Sequence, residues 1–214
     1  MIGPRRPSTP AGVVAGFTGV LVRDGYAGYD HIDTATHAEC GAHLLRALKG
    51  VHDSDPDRQV WAEYMANTVL MAKRMVEQAA AAGHTRPSED HVSFIRSAYA
   101  GAISVGRDAN ADQPDSKAAK LVHRFVRDAD DIVRFTTDTA IWFSNNQSER
   151  DLRPTKLQQK ISGTWRTLQG LADFAALRSY LSTATKHGMD LLDMLEQLFT
   201  TGPWLPPDLA PTPS

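Results

Sequence analysis

The chain has 214 residues, 42% of them hydrophobic and 22% charged, which is enough for one large domain or two small domains with a hydrophobic core. The formal net charge of −2 excludes an overall basic field, so any nucleic-acid binding must depend on a local basic patch. The single cysteine, Cys40, excludes an intramolecular disulfide framework and is typical of a reducing compartment, so we expect a cytoplasmic protein.

The N-terminal part predicts a flexible segment followed by one strand. Residues 1–16 contain several prolines, and their apolar run is interrupted by glycines and has no A-x-A-like cleavage site, which argues against a signal peptide. "FTGVLVRDG", residues 17–25, is β-branched and ends in glycine, as expected of a strand. No stretch approaches the ~18 apolar residues of a membrane span.

The rest of the chain predicts helices. "THAECGAHLLRALKG", residues 36–50, has a helical pattern with Gly50 as its stop. Ser54-Asp55-Pro56, Ser88 and Ser116 are start signals for three more helices, so we expect mostly helix between residues 55 and 135. After an irregular stretch, further helices are predicted over about 147–159, over "TWRTLQGLADFAALRSYLSTATKHG", residues 164–188, and over "LLDMLEQLF". The proline-rich residues 201–214 predict a flexible tail.

Asp24 follows the predicted strand, where α/β folds expose functional groups. Asp-Gly is also a common turn signal, and this short stretch taken alone favours the turn. Both interpretations remain open at this point.

A second feature is the stretch "SNNQSERDLRPTKLQQKISG", in which one glutamate begins a basic helix. Glu149, Arg153, Lys156 and Lys160 are spaced by four, three and four residues and therefore share one helical face. Such a face could hold a divalent metal at its carboxylate and phosphates along its cations. The alternative is a solvated charged face with i,i+4 ion pairs.

His37, Cys40 and His43 lie at i, i+3 and i+6 of the predicted helix, on one side of it. Zinc would require a fourth ligand, and no partner motif is present in the sequence. We therefore expect Cys40 in the core, with a metal-binding module on Cys40 and His43 as a weaker alternative.

Taken together, "GVLVRDGYAGYD", "HAECGAHLLRAL", the basic stretch and "LRSYLSTATKHGMDLLDML" resemble the C-terminal half of DDE-type transposases of the insertion-sequence sixty-six family. The resemblance implies a mostly α fold with a minor β part, an incomplete ribonuclease-H-like α/β core interrupted by a helical insertion. It places the first part of the core at 17–50, the insertion at 51–140 and the second part of the core at 141–200.

The resemblance also implies roles for single residues. Asp24 and Glu149 would be two of the three catalytic carboxylates, which bind Mg²⁺ or Mn²⁺ for phosphoryl transfer, and their carboxylates should lie within ~10 Å. Cys40 and His43 match a C-x-x-H motif that follows the second acidic residue in such transposases. The expected contacts to the DNA of transposon ends are made by Arg150, Arg153, Lys156 and Lys160.

The family's first acidic residue lies on an upstream strand, and no Asp or Glu precedes Asp24. We therefore expect a truncated or split transposase that is inactive alone and that works with an upstream half or with full-length transposase. The alternative from another class is a non-catalytic helical protein that regulates transposition by binding DNA or transposase.

Overall fold

The computed structural model describes residues 16–161 and 167–206. It divides into two compact units, the first ending at Asn145 and the second beginning at Asn146. The described residues are mostly helical, as the sequence predicts, and the minor β part is a small sheet of two strands rather than the single strand expected. Neither described range contains a helix long and apolar enough to cross a membrane.

The sheet consists of two parallel strands, β1 (Val20–Arg23) and β2 (Thr36–Glu39). In its register Arg23 lies opposite Glu39, so both strands end at the same edge. The connection contains a short 3-10 helix, Ala27–Tyr29. Parallel strands require such a crossover because a tight hairpin can join only antiparallel strands. Two strands do not define a ribonuclease-H-like core, which stays a prediction.

Strand β2 corrects the sequence interpretation, because residues 36–40 were predicted to be helical. The backbone of this segment pairs with β1, and the Cys40 amide donates to the Arg23 carbonyl at 2.7 Å. Cys40 is therefore extended, and helix α1 (Gly41–Ser54) begins only after it. The predicted stop at Gly50 is also wrong, since α1 continues and buries Val51 in the core.

The prediction of a mostly helical segment between residues 55 and 135 is confirmed. Two start signals act as predicted: the Ser88 hydroxyl accepts from the His91 amide, and the Ser116 hydroxyl accepts from the Ala119 amide. The helices of this segment are α2 (Val60–Ala81), α3 (Glu89–Ala109), α4 (Lys117–Arg127) and α5 (Ala129–Val133).

The predicted start at Ser54-Asp55-Pro56 is wrong by one turn. The Asp55 carboxylate accepts from the Arg58 amide at 3.3 Å, and the Asp55 carbonyl accepts from the Gln59 amide at 2.8 Å. These bonds close a separate turn, so α2 begins at Val60.

Helices α1 to α5 enclose the main core of the first unit around Trp61 and Phe125, which are fully buried and meet edge to face at 6.4 Å. The indole N–H of Trp61 donates to the Gln59 side-chain oxygen at 2.7 Å. Gln59 in turn pairs with the buried amide of Asn110, so this polar cluster is hydrogen-bonded inside the core.

The second unit contains α6 (Asn146–Ile161), α7 (Leu168–Lys186) and α8 (Leu191–Thr200), which confirms the three helices predicted there. Side chains begin the last two: Thr167 accepts from the Gly170 amide, and Asp190 accepts from the Leu192 and Asp193 amides. The five-segment division stays a prediction, and the proposed flexibility of residues 1–15 and 207–214 lies outside the described residues.

Candidate functional site

Asp24 directly follows β1 and is exposed at the edge where both parallel strands end. Its Oδ1 accepts a hydrogen bond from the Tyr26 amide at 3.1 Å. This bond forms the local turn that the Asp-Gly pair predicts. Gly25 has φ +77°, a conformation that favours glycine. Asp24 therefore both forms a turn and presents a carboxylate at the strand end.

The same edge contains an ion cluster that the sequence interpretation missed. The Glu39 side chain is 1% exposed and contacts two arginines. Arg124 Nη2 lies 2.6 Å from Glu39 Oε2, and Arg23 Nε lies 3.4 Å from Glu39 Oε1. No sequence motif indicates this cluster, because Glu39 and Arg124 lie 85 residues apart in the chain. The cluster fixes α4 against the end of the sheet beside Asp24.

The surrounding carboxylates are also paired with arginines. Arg23 pairs with Asp30 and lies 3.9 Å from Asp131, which accepts from Arg134 at 3.1 Å. The hydrogen bond from Arg127 is the main reason that the pKa of Asp128 lies below its ordinary value. Among the described residues, no group of three or more His, Cys, Asp or Glu side chains is placed to hold a metal. The acids near Asp24 thus serve as ion-pair partners.

The helical arrangement predicted for His37, Cys40 and His43 is wrong, because the first lies on β2, the second precedes α1 and the third lies within α1. The prediction that Cys40 belongs to the core is confirmed by its complete burial. Its Sγ accepts from the Asn145 amide at 3.4 Å. His37 Nε2 lies 3.2 Å from the Ile32 carbonyl. Cys40 thus connects the start of α1 to the residue that precedes α6.

Glu149 lies in the first turn of α6, where the helix dipole favours a carboxylate. Arg150 and Arg153 are exposed on the same helix, and Arg150 donates to the Gln147 side chain at 3.0 Å. Lys156 and Lys160 also belong to α6, but their side chains lie outside the described ones. Asp24 and Glu149 belong to different units, so their predicted proximity stays a prediction.

A further polar group links α6 with α7 and was not predicted. Asp151 accepts from Lys186 at 2.6 Å and from the Ser182 hydroxyl at 2.8 Å. The Lys186 hydrogen bond is the main reason that the pKa of Asp151 is lowered, so the carboxylate is charged at neutral pH. Ser182 and Lys186 lie 31 and 35 positions after Asp151, so the spacing of residues along one helix cannot predict these contacts.

A strand-end aspartate, a helical segment and a glutamate at the start of a basic helix occur here in one chain. Comparison with known families assigns the chain to a transposase class. The chain belongs to the Transposase IS66 family, whose model matches residues 3–173. The matched range includes both Asp24 and Glu149. The resemblance seen in the sequence is thereby confirmed.

One curated relative is "Uncharacterized protein y4qI" of Sinorhizobium fredii (strain NBRC 101917 / NGR234), which is 26% identical over 199 residues. The alignment covers 87% of this chain and 36% of the relative, so the chain spans about a third of that protein's length. No solved structure matches the chain.

Proposed function

We propose that this chain is the C-terminal part of the catalytic region of a mobile-element transposase, which cleaves and joins DNA by metal-dependent phosphoryl transfer. Asp24 and Glu149 are the carboxylates that it contributes to the active site. Arg150, Arg153 and the basic side chains that follow hold the DNA backbone. The family membership supports the transposase role, and the finer assignments are our proposal.

The position of Asp24 is the observation on which this proposal mainly depends. The residue lies in the matched range and at the carboxyl end of a parallel strand pair, the edge where sheets of this type place functional groups. The neighbouring Glu39–Arg124 pair holds the helical segment against this edge. Asp24 is thus an exposed carboxylate at a sheet end that is tied to α4 through the ion pairs of the buried Glu39.

The chemistry of the donor residues fits a magnesium ion in type but not in number. Carboxylate oxygens are the ligands that Mg²⁺ or Mn²⁺ prefers, and a bound metal would polarise the phosphate. No three-donor group occurs among the described residues, so Asp24 and Glu149 need at least one further carboxylate to form the usual three-acid site. We propose that another segment of the transposase supplies it.

Nicking and strand transfer of DNA ends from the parent element test this proposal in the presence of Mg²⁺ or Mn²⁺. The chain is assayed alone and together with the upstream part of the same transposase. We expect activity only in the combined sample, and its loss in Asp24→Asn and in Glu149→Gln.

Matched controls are Asp33→Asn in the first unit and Glu196→Gln in the second, since both side chains are exposed. Activity that survives both active-site substitutions would contradict the proposal. Absence of activity in both samples, combined with binding to transposon ends, would instead favour the non-catalytic regulator. Activity of the chain alone that depends on Glu149 would show that its own residues complete the site.

A further inference from the structure

A pocket lined by charged and hydroxyl side chains lies between α6 and α7 of the second unit, and the proposed chemistry does not use it. Its volume is about 190 Å³, far above the roughly 15 Å³ that one water molecule requires. Its wall consists mainly of residues spaced by three or four positions along α7, which therefore share one face. The polar lining residues are Asp151, Arg178, Ser179, Ser182, Thr183 and Lys186.

The charges in this pocket leave one cation without a balancing anion. Asp151 is neutralised by Lys186 at 2.6 Å and also accepts from Ser182. Arg178 has no ion-pair partner within the described part of the chain, and its buried Nε lacks a hydrogen-bond acceptor there. Two cations against one carboxylate give the pocket a formal charge of +1.

Two hydroxyls extend the set of unused donors. Ser179 and Thr183 line the pocket next to Arg178, and neither side chain makes a hydrogen bond to another described residue. A planar guanidinium with neighbouring hydroxyls is a donor set suited to phosphate oxygens, which the guanidinium can bind in a bidentate manner. A buried donor without an acceptor also favours occupation by an anion, because the unpaired state is costly.

We propose that this pocket, the α7 pocket, binds one backbone phosphate of DNA. A phosphodiester has a single negative charge, which matches the formal +1 of the pocket. Arg178 provides the positive charge and two parallel N–H donors, while Ser179 and Thr183 donate to the remaining oxygens. The Asp151 carboxylate is paired with Lys186 and also accepts from Ser182, so it does not act as an unpaired negative charge beside the phosphate. The assignment to DNA depends on the proposed transposase function.

The test measures binding of the chain to a duplex of random sequence by fluorescence anisotropy at several salt concentrations. Arg178→Gln should weaken binding about five- to tenfold near 0.1 M salt. It should also reduce the salt slope, the steepness with which the logarithm of the binding constant falls with the logarithm of the salt concentration, by about 0.9. Arg178→Lys should retain the salt slope but lower the affinity, because lysine keeps the positive charge but cannot form the bidentate hydrogen bonds of the guanidinium. The double variant Ser179→Ala/Thr183→Ala should weaken binding about threefold without changing the slope.

Arg86→Gln is the matched control, since this arginine is 64% exposed in the first unit and its removal changes the charge equally. Circular dichroism verifies that each variant is folded. Duplex binding that is unaffected by both Arg178→Lys and the hydroxyl double variant overturns the α7 pocket and leaves the transposase proposal standing. A wild-type chain that binds no duplex overturns both.

Inorganic phosphate separates the two possible sources of the ligand. Thermal stability is compared in phosphate and in chloride at equal ionic strength, for the wild type and for Arg178→Lys. Stabilisation of the wild type that disappears in the variant, together with the loss of DNA affinity, supports the assignment. The same stabilisation with unchanged DNA affinity would identify a site for free phosphate and overturn the DNA assignment.

Discussion

Arg124 on α4 contacts the buried carboxylate of Glu39 at the end of β2, with 2.6 Å between Nη2 and Oε2. This ion pair joins the segment predicted as a helical insertion to the sheet edge that presents Asp24. Arg23 approaches the other oxygen of the same carboxylate at 3.4 Å. The geometry near Asp24 therefore depends on a residue about a hundred positions away in the sequence.

Removal of Arg124 should destabilise the first unit strongly, because it leaves Glu39 buried with one fewer counter-charge. We expect Arg124→Met to lower the free energy of unfolding by about 2–4 kcal/mol. The double variant Arg124→Met/Glu39→Leu should recover part of this loss, as measured in a urea-unfolding double-mutant cycle. The exposed pair Lys49–Asp53 is the control, with an expected coupling of about 0.5 kcal/mol or less. Additive single effects at Glu39 and Arg124 would contradict the coupling.

Gly25 should resist substitution, whereas Gly50 should tolerate it. A Cβ at Gly25 would lie 2.0 Å from Arg124 Nη2, in a backbone conformation with φ +77°. We expect Gly25→Ala to destabilise the fold by about 1–3 kcal/mol. Gly50→Ala is the matched control, since Gly50 lies within α1 and an added Cβ would have open space for 4 Å around it. This substitution should stabilise the fold by about 0.5–1 kcal/mol. Equal effects in thermal unfolding would refute this view of the turn.

Asp151 should make the second unit more stable at neutral pH than in acid. Its pKa is lowered from an unfolded value of 3.8, so the contribution is present above that pH and is lost as pH falls through the folded value. Because its side chain is 27% exposed, we expect Asp151→Asn to cost less than about 1 kcal/mol at pH 7. The difference in stability between the wild type and Asp151→Asn, measured by thermal melts between pH 2 and 7, should vanish below the folded pKa of Asp151.

Asp57→Asn serves as the control for this pH dependence, since Asp57 is exposed and lacks a side-chain partner in the described ranges. Asp57→Asn removes the same carboxylate charge without breaking a described ion pair, so it separates the loss of the Asp151 contacts from a general change in net charge. A gap for Asp151→Asn that is constant with pH would show that its carboxylate charge is not the cause.

The basic face of α6 should bind phosphates rather than bases, because cations spaced along a helix contain no donor–acceptor code. Replacing Lys156 and Lys160 by alanine should weaken binding to all duplexes alike and lower the salt slope by about 1.8. Lys49 and Lys120, both exposed in the first unit, provide the control pair. An unchanged slope in anisotropy titrations would indicate a solvated charged face.

Asp24 and Glu149 should have their carboxylates within ~10 Å, so that two metal ions about 4 Å apart can lie between them. A crystal structure of the chain grown with Mn²⁺ measures this distance directly. Asp33 is the internal comparison and should point away from the metals. Carboxylates on opposite faces of the molecule would exclude a shared site.

The sequence predicted features that depend on neighbouring residues. The Ser88 and Ser116 caps are correct because a capping hydroxyl acts on amides only three positions away. The start of α2 was misplaced because Asp55 caps an isolated turn, a choice that the same short-range signals do not distinguish. Local capping thus establishes that a helix exists better than it establishes where the helix begins.

Strand β2 and Glu39 could not be predicted, for a different reason. Thr36–Glu39 contains alanine and glutamate, which are depleted in strands, and its extended form depends on pairing with β1. The periodicity of the adjoining helix α1 extends into these residues and suggested helix instead. Glu39 resembles any surface glutamate in the sequence, and only the folded chain brings Arg23 and Arg124 to it.

The buried indole of Trp61 has a consequence for spectroscopy. Its ring is 0% exposed and packs so closely on Gly106 that a Cβ there would lie 2.8 Å from it, whereas Trp142 is 62% exposed. Trp61 should therefore emit at shorter wavelength than Trp142 in the native chain and shift to the red when the first unit opens. A variant that retains only Trp61 provides an intrinsic optical signal for that unit without an added dye.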